Sequence, residues 1–219
     1  MTMRSNFDIS LKQLKEMLLE MASLSEQAIK DAIDALIKQN LEKAQKIIDG
    51  DNIIDEMEHK IDDKALLMIA TQSPVATDLR KILVAIKISS EIERIGDMAV
   101  NIAKSTLHIG NEKLIKEIVD IPKMMDMALE MLTESLTAFY SEDVTLAKNC
   151  AEKDDMVDEL YGRLVHELIG YIPNNPSASN QITQLAYVCR YIERIADHTT
   201  NIAENVIFLV TGKRYDLNS

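Results

Sequence analysis

The chain has no Trp, only three Phe among its few aromatics, six Gly and four Pro in 219 residues. Aromatic and turn-forming residues are the raw material of short strands joined by tight turns, so their scarcity excludes an all-β architecture. There are two cysteines, Cys150 and Cys189. Neither belongs to a Cys-x-x-Cys or Cys/His cluster, which argues against structural zinc and fits a reducing compartment. No apolar run approaches the roughly 20 residues that span a bilayer, and the N-terminus lacks the apolar core of a secretory signal. The expectation is a cytoplasmic protein with no membrane insertion. Cations are also in deficit: 24 Lys and Arg stand against 36 Asp and Glu, for a net charge of -12. A polyanion is repelled by that balance, so nucleic acid is not an expected partner. Gly-x-Ser-x-Gly, Walker and dinucleotide motifs are all missing, and nothing in the sequence indicates catalysis.

What remains is helical periodicity. Phe7, Leu11, Leu14, Leu18, Met21, Ala28 and Ala32 recur at helical steps, predicting a first amphipathic helix that ends near Asn40. A second pattern runs from Leu41 to about Gln72, with a possible interruption at Gly50, and Ser73-Pro74 breaks it. A third begins near Ala76 and stops before Gly110. Three more follow: one with Pro122 in its first turn, one expected to be capped by Ser141, and one from the Pro173-Asn174-Asn175-Pro176 turn to Gly212. Cys189 falls on the apolar seam of the last, and the twelve Met read as core filling.

The strongest signal is repetition. Glu93-Arg94-Ile95-Gly96-Asp97 and Glu193-Arg194-Ile195-Ala196-Asp197 lie 100 positions apart, and Asn101-Ile102-Ala103 recurs at the same interval as Asn201-Ile202-Ala203. A repeat of this length implies a duplicated bundle rather than a solenoid. The predicted fold is all-α: two tandem three-helix bundles related by a pseudo-twofold axis, covering residues 1–110 and 111–219.

Glu93, Asp97 and Asn101 stand at i, i+4 and i+8, forming one row of oxygen donors beside the apolar seam; Glu193, Asp197 and Asn201 form its copy. If the second and third helices fold back about Pro74-Val75-Ala76, Asp51 comes level with Asp97 and Asn101, and Asp55 falls between Glu93 and Asp97. About Asn175-Pro176, Asp154 comes level with Asp197 and Asp158 with Glu193. Carboxylates crowded in this way repel one another, so a cation is expected between them. Oxygen-only donors select Mg²⁺, Ca²⁺, Mn²⁺ or oxidised iron. The competing reading is ordinary solvated helix acids paired with Arg94 and Arg194, and Asn101 and Asn201 have the alternative of bonding to a neighbouring helix. Glu56 and His59 form a Glu-x-x-His of the di-iron type, which keeps a carboxylate-bridged oxidase in view, but its second copy is missing. His108, His166 and His198 read as surface or hydrogen-bonded residues.

The duplicated acidic motifs, each followed by Asn-Ile-Ala, together with Ser73-Pro74-Val75-Ala76-Thr77-Asp78-Leu79-Arg80, resemble the PhoU family of phosphate-uptake regulators over essentially the whole chain. The resemblance implies a non-enzymatic cytoplasmic regulator, a homodimer in many members, whose acidic motifs can hold multinuclear metal clusters. It also implies negative regulation of phosphate uptake and starvation signalling through two partners, the ATPase of the phosphate ABC transporter (PstB) and the sensor kinase PhoR. The second half replaces the Ser73–Arg80 turn by Pro173 to Ser179. Asp78 and Arg80 are therefore weighed as docking residues against a local role at the start of a helix. A metal-free helical adaptor is the plainest alternative.

Overall fold

Every long apolar period in the sequence becomes a helix. The computed structural model describes residues 3–217, with side chains from Asn6 onward. The first half consists of α1 (Met3–Lys38), α2 (Leu41–Asp49), α3 (Asn52–Gln72) and α4 (Thr77–Ile109); the second consists of α5 (Asp120–Ser141), α6 (Val144–Gly170) and α7 (Ser179–Thr211). The pattern expected to run from Leu41 to Gln72 is thus two helices. Its break falls at Gly50, whose N–H closes α2 onto Lys46 and Ile47 carbonyls, and α3 restarts one residue after Asp51. The short α2 packs its Ala44 against Ala35 and Ala103 in a small satellite core.

The turn chemistry agrees with the boundaries at most points. Asn40 caps α2 by accepting from the Lys43 N–H at 3.0 Å, and α7 stops at Gly212, which takes the positive φ of 72° that a left-handed cap demands. The cap of α6 differs from expectation. Ser141 is the last residue of α5 and donates its hydroxyl to the Thr137 carbonyl at 2.7 Å. Asp143 does the capping, accepting from the N–H groups of Thr145 and Leu146. A carboxylate suits this place better than a hydroxyl because it also meets the positive end of the helix dipole.

α4 and α7, the two helices that carry the duplicated motifs, lie against each other and form the most extensive packing between elements. Their seams are rich in small residues, including Ala85, Ala99 and Ala103 on α4 and Ala196 and Ala203 on α7. One continuous hydrophobic core therefore runs through both halves. The linker between them is held on both sides: Gln39 donates to the Gly110 and Glu112 carbonyls, while Gln181 accepts from the Ile115 N–H and donates to the Lys113 carbonyl. Among the described residues no helix is long and apolar enough to cross a membrane.

Candidate functional site

Each half brings its predicted acids together where two helices run antiparallel. In the first, Asp97 on α4 repels both Asp51, just before α3, and Asp55 of α3, and Glu93 feels Asp97, Glu58 and Asp55. The Pro74–Ala76 turn sets this register. Glu58 was not among the expected residues; it lies three positions beyond Asp55, on the same helical face. Burial pushes Glu93 up to about 7, with Asp97 as the next cause. Asp51 and Asp97 are also raised, chiefly by burial and then by Asp55, with Lys104 pulling both back. Asn101 follows Asp97 by one turn on the same helix and is half-buried.

The second centre is less solvated. Asp154 and Glu193 are only 7% and 8% exposed. Burial raises Asp154 to about 7, followed by repulsion from Asp158 and Asp197. Burial likewise raises Glu193 to about 7, followed by Asp197. Asp158 lies at the exposed edge and is raised by burial of its carboxyl and by Asp197. Arg190 pairs with Glu193 Oε1 from one turn below. The other oxygen of Glu193 and Oδ1 of Asp154 are buried without a hydrogen-bond partner, as is the Thr200 hydroxyl, which approaches Asp154 without forming a proper bond. Three orphaned buried oxygens in one place are costly.

Of the arginines inside the repeated motifs, Arg94 offsets Glu93 in part. Arg94 is exposed and sits 3.9 Å from Glu91 rather than on Asp97, and Arg194 is exposed. Among the described residues neither arginine pairs with the Asp three positions after it, although that spacing allows the contact. Glu56 and His59 are exposed on α3. The Glu-x-x-His of the oxidase reading therefore lies on the outer surface.

Sequence reasoning missed a link between the two halves. His198 on α7 is buried, and its Nδ1 lies 2.8 Å from Oε2 of Glu91 on α4; Asn201 Nδ2 donates to the same oxygen at 3.2 Å. Burial would raise Glu91, but these two hydrogen bonds hold it below the ordinary carboxylate value. Asn201 thus spends its amide across the α4–α7 seam, as its alternative reading allowed. His198 also pulls down the pKa of Asp97, which places it within electrostatic reach of the first acidic centre. Of the two alternatives for His198, surface or hydrogen-bonded, the structure selects the second.

Arg80 is half-buried too. Its Nη1 donates to the Leu209 carbonyl at 3.3 Å and its guanidinium stands 5.6 Å from the Phe208 ring, tying the start of α4 to the end of α7. Both cysteines are buried, which raises their thiols to about 11 for Cys150 and about 12 for Cys189, so neither is poised as a nucleophile.

The donors of both centres are oxygens, they outnumber neighbouring cations, and in the second centre three are orphaned. That chemistry suits a hard cation. Among the described residues, however, no three His, Cys, Asp or Glu side chains converge tightly enough to hold a metal as they stand. A cation would have to draw them together.

These features define an all-helical scaffold of two related halves with an uncompensated acidic centre in each. The PhoU domain model matches it twice, over residues 18–106 and 121–206. The chain belongs to the PhoU family. It is 41% identical over 98% of its length to the phosphate-specific transport system accessory protein PhoU homolog of Clostridium acetobutylicum, covering 99% of that protein. It is 42% identical over 93% of its length to the Aquifex aeolicus protein of the same description, covering 92% of it. The crystal structure of the phosphate transport system regulatory protein PhoU from Streptococcus pneumoniae superposes with a TM-score of 0.89 at 30% identity, covering 96% of this chain and 99% of that one. PhoU from Pseudomonas aeruginosa gives the same TM-score at 33% identity, covering 94% and 100%.

Proposed function

We propose that this chain is an accessory protein of phosphate-specific transport that restrains phosphate uptake and starvation signalling through contacts with protein partners, without catalysis of its own. The observation that carries this reading is near-complete, two-repeat coverage by relatives named for that role. Its partners on this reading are the transporter ATPase and the PhoR sensor kinase. It acts in the cytoplasm, as a homodimer.

Metal binding at the two acidic centres is part of the proposal. Asp51, Asp55, Glu93, Asp97 and Asn101 hold one site, and Asp154, Asp158, Glu193 and Asp197 the other, with Asn201 adding its free carbonyl oxygen. A hard divalent or trivalent cation, Mg, Mn, Ca or iron, would neutralise carboxylates that otherwise repel one another. The support is the oxygen-only donor set, the raised pKa values of Glu93, Asp154 and Glu193, and the orphaned oxygens.

Deleting the gene should raise phosphate uptake and alkaline phosphatase output in phosphate-rich medium, and complementation should reverse it. Wild-type levels after deletion would overturn the regulatory reading. Elemental analysis of protein purified without chelators addresses the metal: Asp97→Asn should empty the first centre and leave the second loaded, and unchanged total metal would refute the ligand assignment.

A further inference from the structure

A cleft of about 410 Å³ opens between α4, α7 and the segment after α7, and none of the carboxylates of the two acidic centres lines it. Its walls carry Lys87 and Arg94 from α4 and Arg214 from the C-terminal segment, against two carboxylates, Glu91 and Glu204. In a chain of net charge -12 this local excess of cations is unusual. Both carboxylates already have partners. Glu91 is engaged by His198, Asn201 and Arg94, and Glu204 Oε1 accepts from the Leu217 N–H at 2.8 Å, which pins the C-terminal segment across the cleft.

Lys87 and Arg214 have no carboxylate among the described residues. Each instead stands about 6 Å from the Phe208 ring, at 5.9 and 6.0 Å, and Arg80 approaches the same ring at 5.6 Å. Three cations around one aromatic ring repel one another, and the quadrupole of a single ring at an exposed site is weak compensation. Lys148 adds a fourth nearby charge, 5.6 Å from the Tyr215 ring at the cleft edge. No anion among the described residues meets Lys87 or Arg214. Guanidinium forks bind phosphate oxygens bidentately and ammonium groups bind them as point charges, while Ser90 and Asn205 offer neutral hydrogen bonds beside them. The volume lies within the roughly 300–1,000 Å³ typical of small-molecule sites, and half-exposed Tyr215 offers a face for a ring to stack on.

From this we infer that the α4–α7 cleft binds a phosphate ester of nucleotide size, with its phosphates between Lys87, Arg94 and Arg214. The inference goes beyond the accessory role and stands or falls separately from it, since its residues are not those of the acidic centres, apart from Asn201 in the cleft wall.

The test is isothermal titration calorimetry of the full chain in magnesium-free buffer, with ADP, ATP, inorganic phosphate and sulfate as probes. ADP and ATP should bind, with phosphate and sulfate much weaker. The Lys87→Ala/Arg214→Ala variant should bind nucleotide roughly tenfold more weakly or worse, since two charge-assisted contacts are lost, with its ligand-free melting temperature unchanged. Ser90→Glu, which places a carboxylate in the cleft without removing a cation, should weaken binding comparably, and Lys46→Ala on exposed α2 should not. The inference is overturned if millimolar nucleotide gives no binding, if the cleft variants bind as wild type does, or if sulfate and phosphate bind as well as ADP, which would mark an adventitious ion only.

Discussion

Asp154 is the carboxylate whose removal should help the metal-free protein most. It is 7% exposed, Oδ1 has no partner, and its neighbours Asp158 and Asp197 are both acidic. Folding raises its pKa from an ordinary 3.8 to about 7. Between those values the native state holds a proton that the unfolded chain has released, so stability falls as pH rises across that window. Below it the group has no effect, and above about pH 7 the full penalty is felt. At about 1.36 kcal/mol per pH unit the penalty is of order 4 kcal/mol. Part of that repulsion is shared with Asp158 and Asp197, and Asn still buries a polar amide, so about 2 kcal/mol is expected to be recovered by Asp154→Asn. For a chain of this size that is roughly 4–8 °C in melting temperature. Urea melts with chelator present at pH 4, 5, 6, 7 and 8 would measure it: wild type and variant should nearly coincide at pH 4 and diverge towards pH 8, with the variant more stable. A saturating hard cation should erase the advantage by filling the second centre in wild type but not in the variant, while the first centre fills in both. If Asp154→Asn is destabilised equally at pH 5 and pH 8, the carboxylate is not charged and unpaired in the fold, and the reasoning fails.

Three further outcomes follow from other contacts. Glu91→Ala deprives buried His198 and Asn201 of their shared acceptor and should cost about 2 kcal/mol in equilibrium unfolding at pH 7. Because folding holds Glu91 below its ordinary pKa, that cost should shrink as pH falls towards 4. At Gly96 an added Cβ would stand 2.8 Å from Ile54 Cδ1, so Gly96→Ala should destabilise by about 1 kcal/mol net of its better helix propensity. Ile54→Val should cost roughly 1 kcal/mol in wild type but nothing in the Gly96→Ala background, a coupling that a double-mutant cycle reads directly. Gly212→Ala combines a positive φ with a Cβ 2.9 Å from Arg80 Nη1 and should cost about 1–2 kcal/mol. Placed on Arg80→Ala, Gly212→Ala should lose the clash but keep the backbone cost; strict additivity in thermal melts would mean that Arg80 does not pack on this cap.

The acidic centres were legible because the information needed for them is local. Two antiparallel helices joined by a short turn have their register set by counting outward from it, and counting from Pro74–Ala76 puts Asp51 and Asp55 against Glu93 and Asp97 whatever the rest of the chain does. The same count extends to Glu58, whose place on that face was readable but was not used. The Glu91–His198–Asn201 link is of a different kind. It crosses from α4 to α7, helices separated by an entire three-helix repeat, and their relative rotation depends on how the small residues of both seams interdigitate, which periodicity does not encode. Arg80 escaped for the same reason: its partners are Phe208 and Leu209, 129 positions away in the bonded case. At α6, Ser141 suited a cap by residue type, but the left-handed turn at Glu142 closes α5 there and leaves the cap of α6 to Asp143.

The duplication brings the two centres into equivalent places without making them equal. Lys104, Arg94 and, from the other half, His198 offset the acids of the first centre. The second relies on Arg190 and buries Asp154 and Glu193 more deeply. Less compensation at similar donor chemistry leaves more repulsion in the second centre for the proposed cation to relieve. Apart from Arg94, the residues responsible lie outside the repeated motifs. Position 198 is His where the first half has Met98, and position 190 is Arg where the first half has Ser90. Identical acids on a repeated backbone therefore stand in different surroundings, set by neighbours that the repeat does not preserve, and His198 of the second half reaches Asp97 of the first centre.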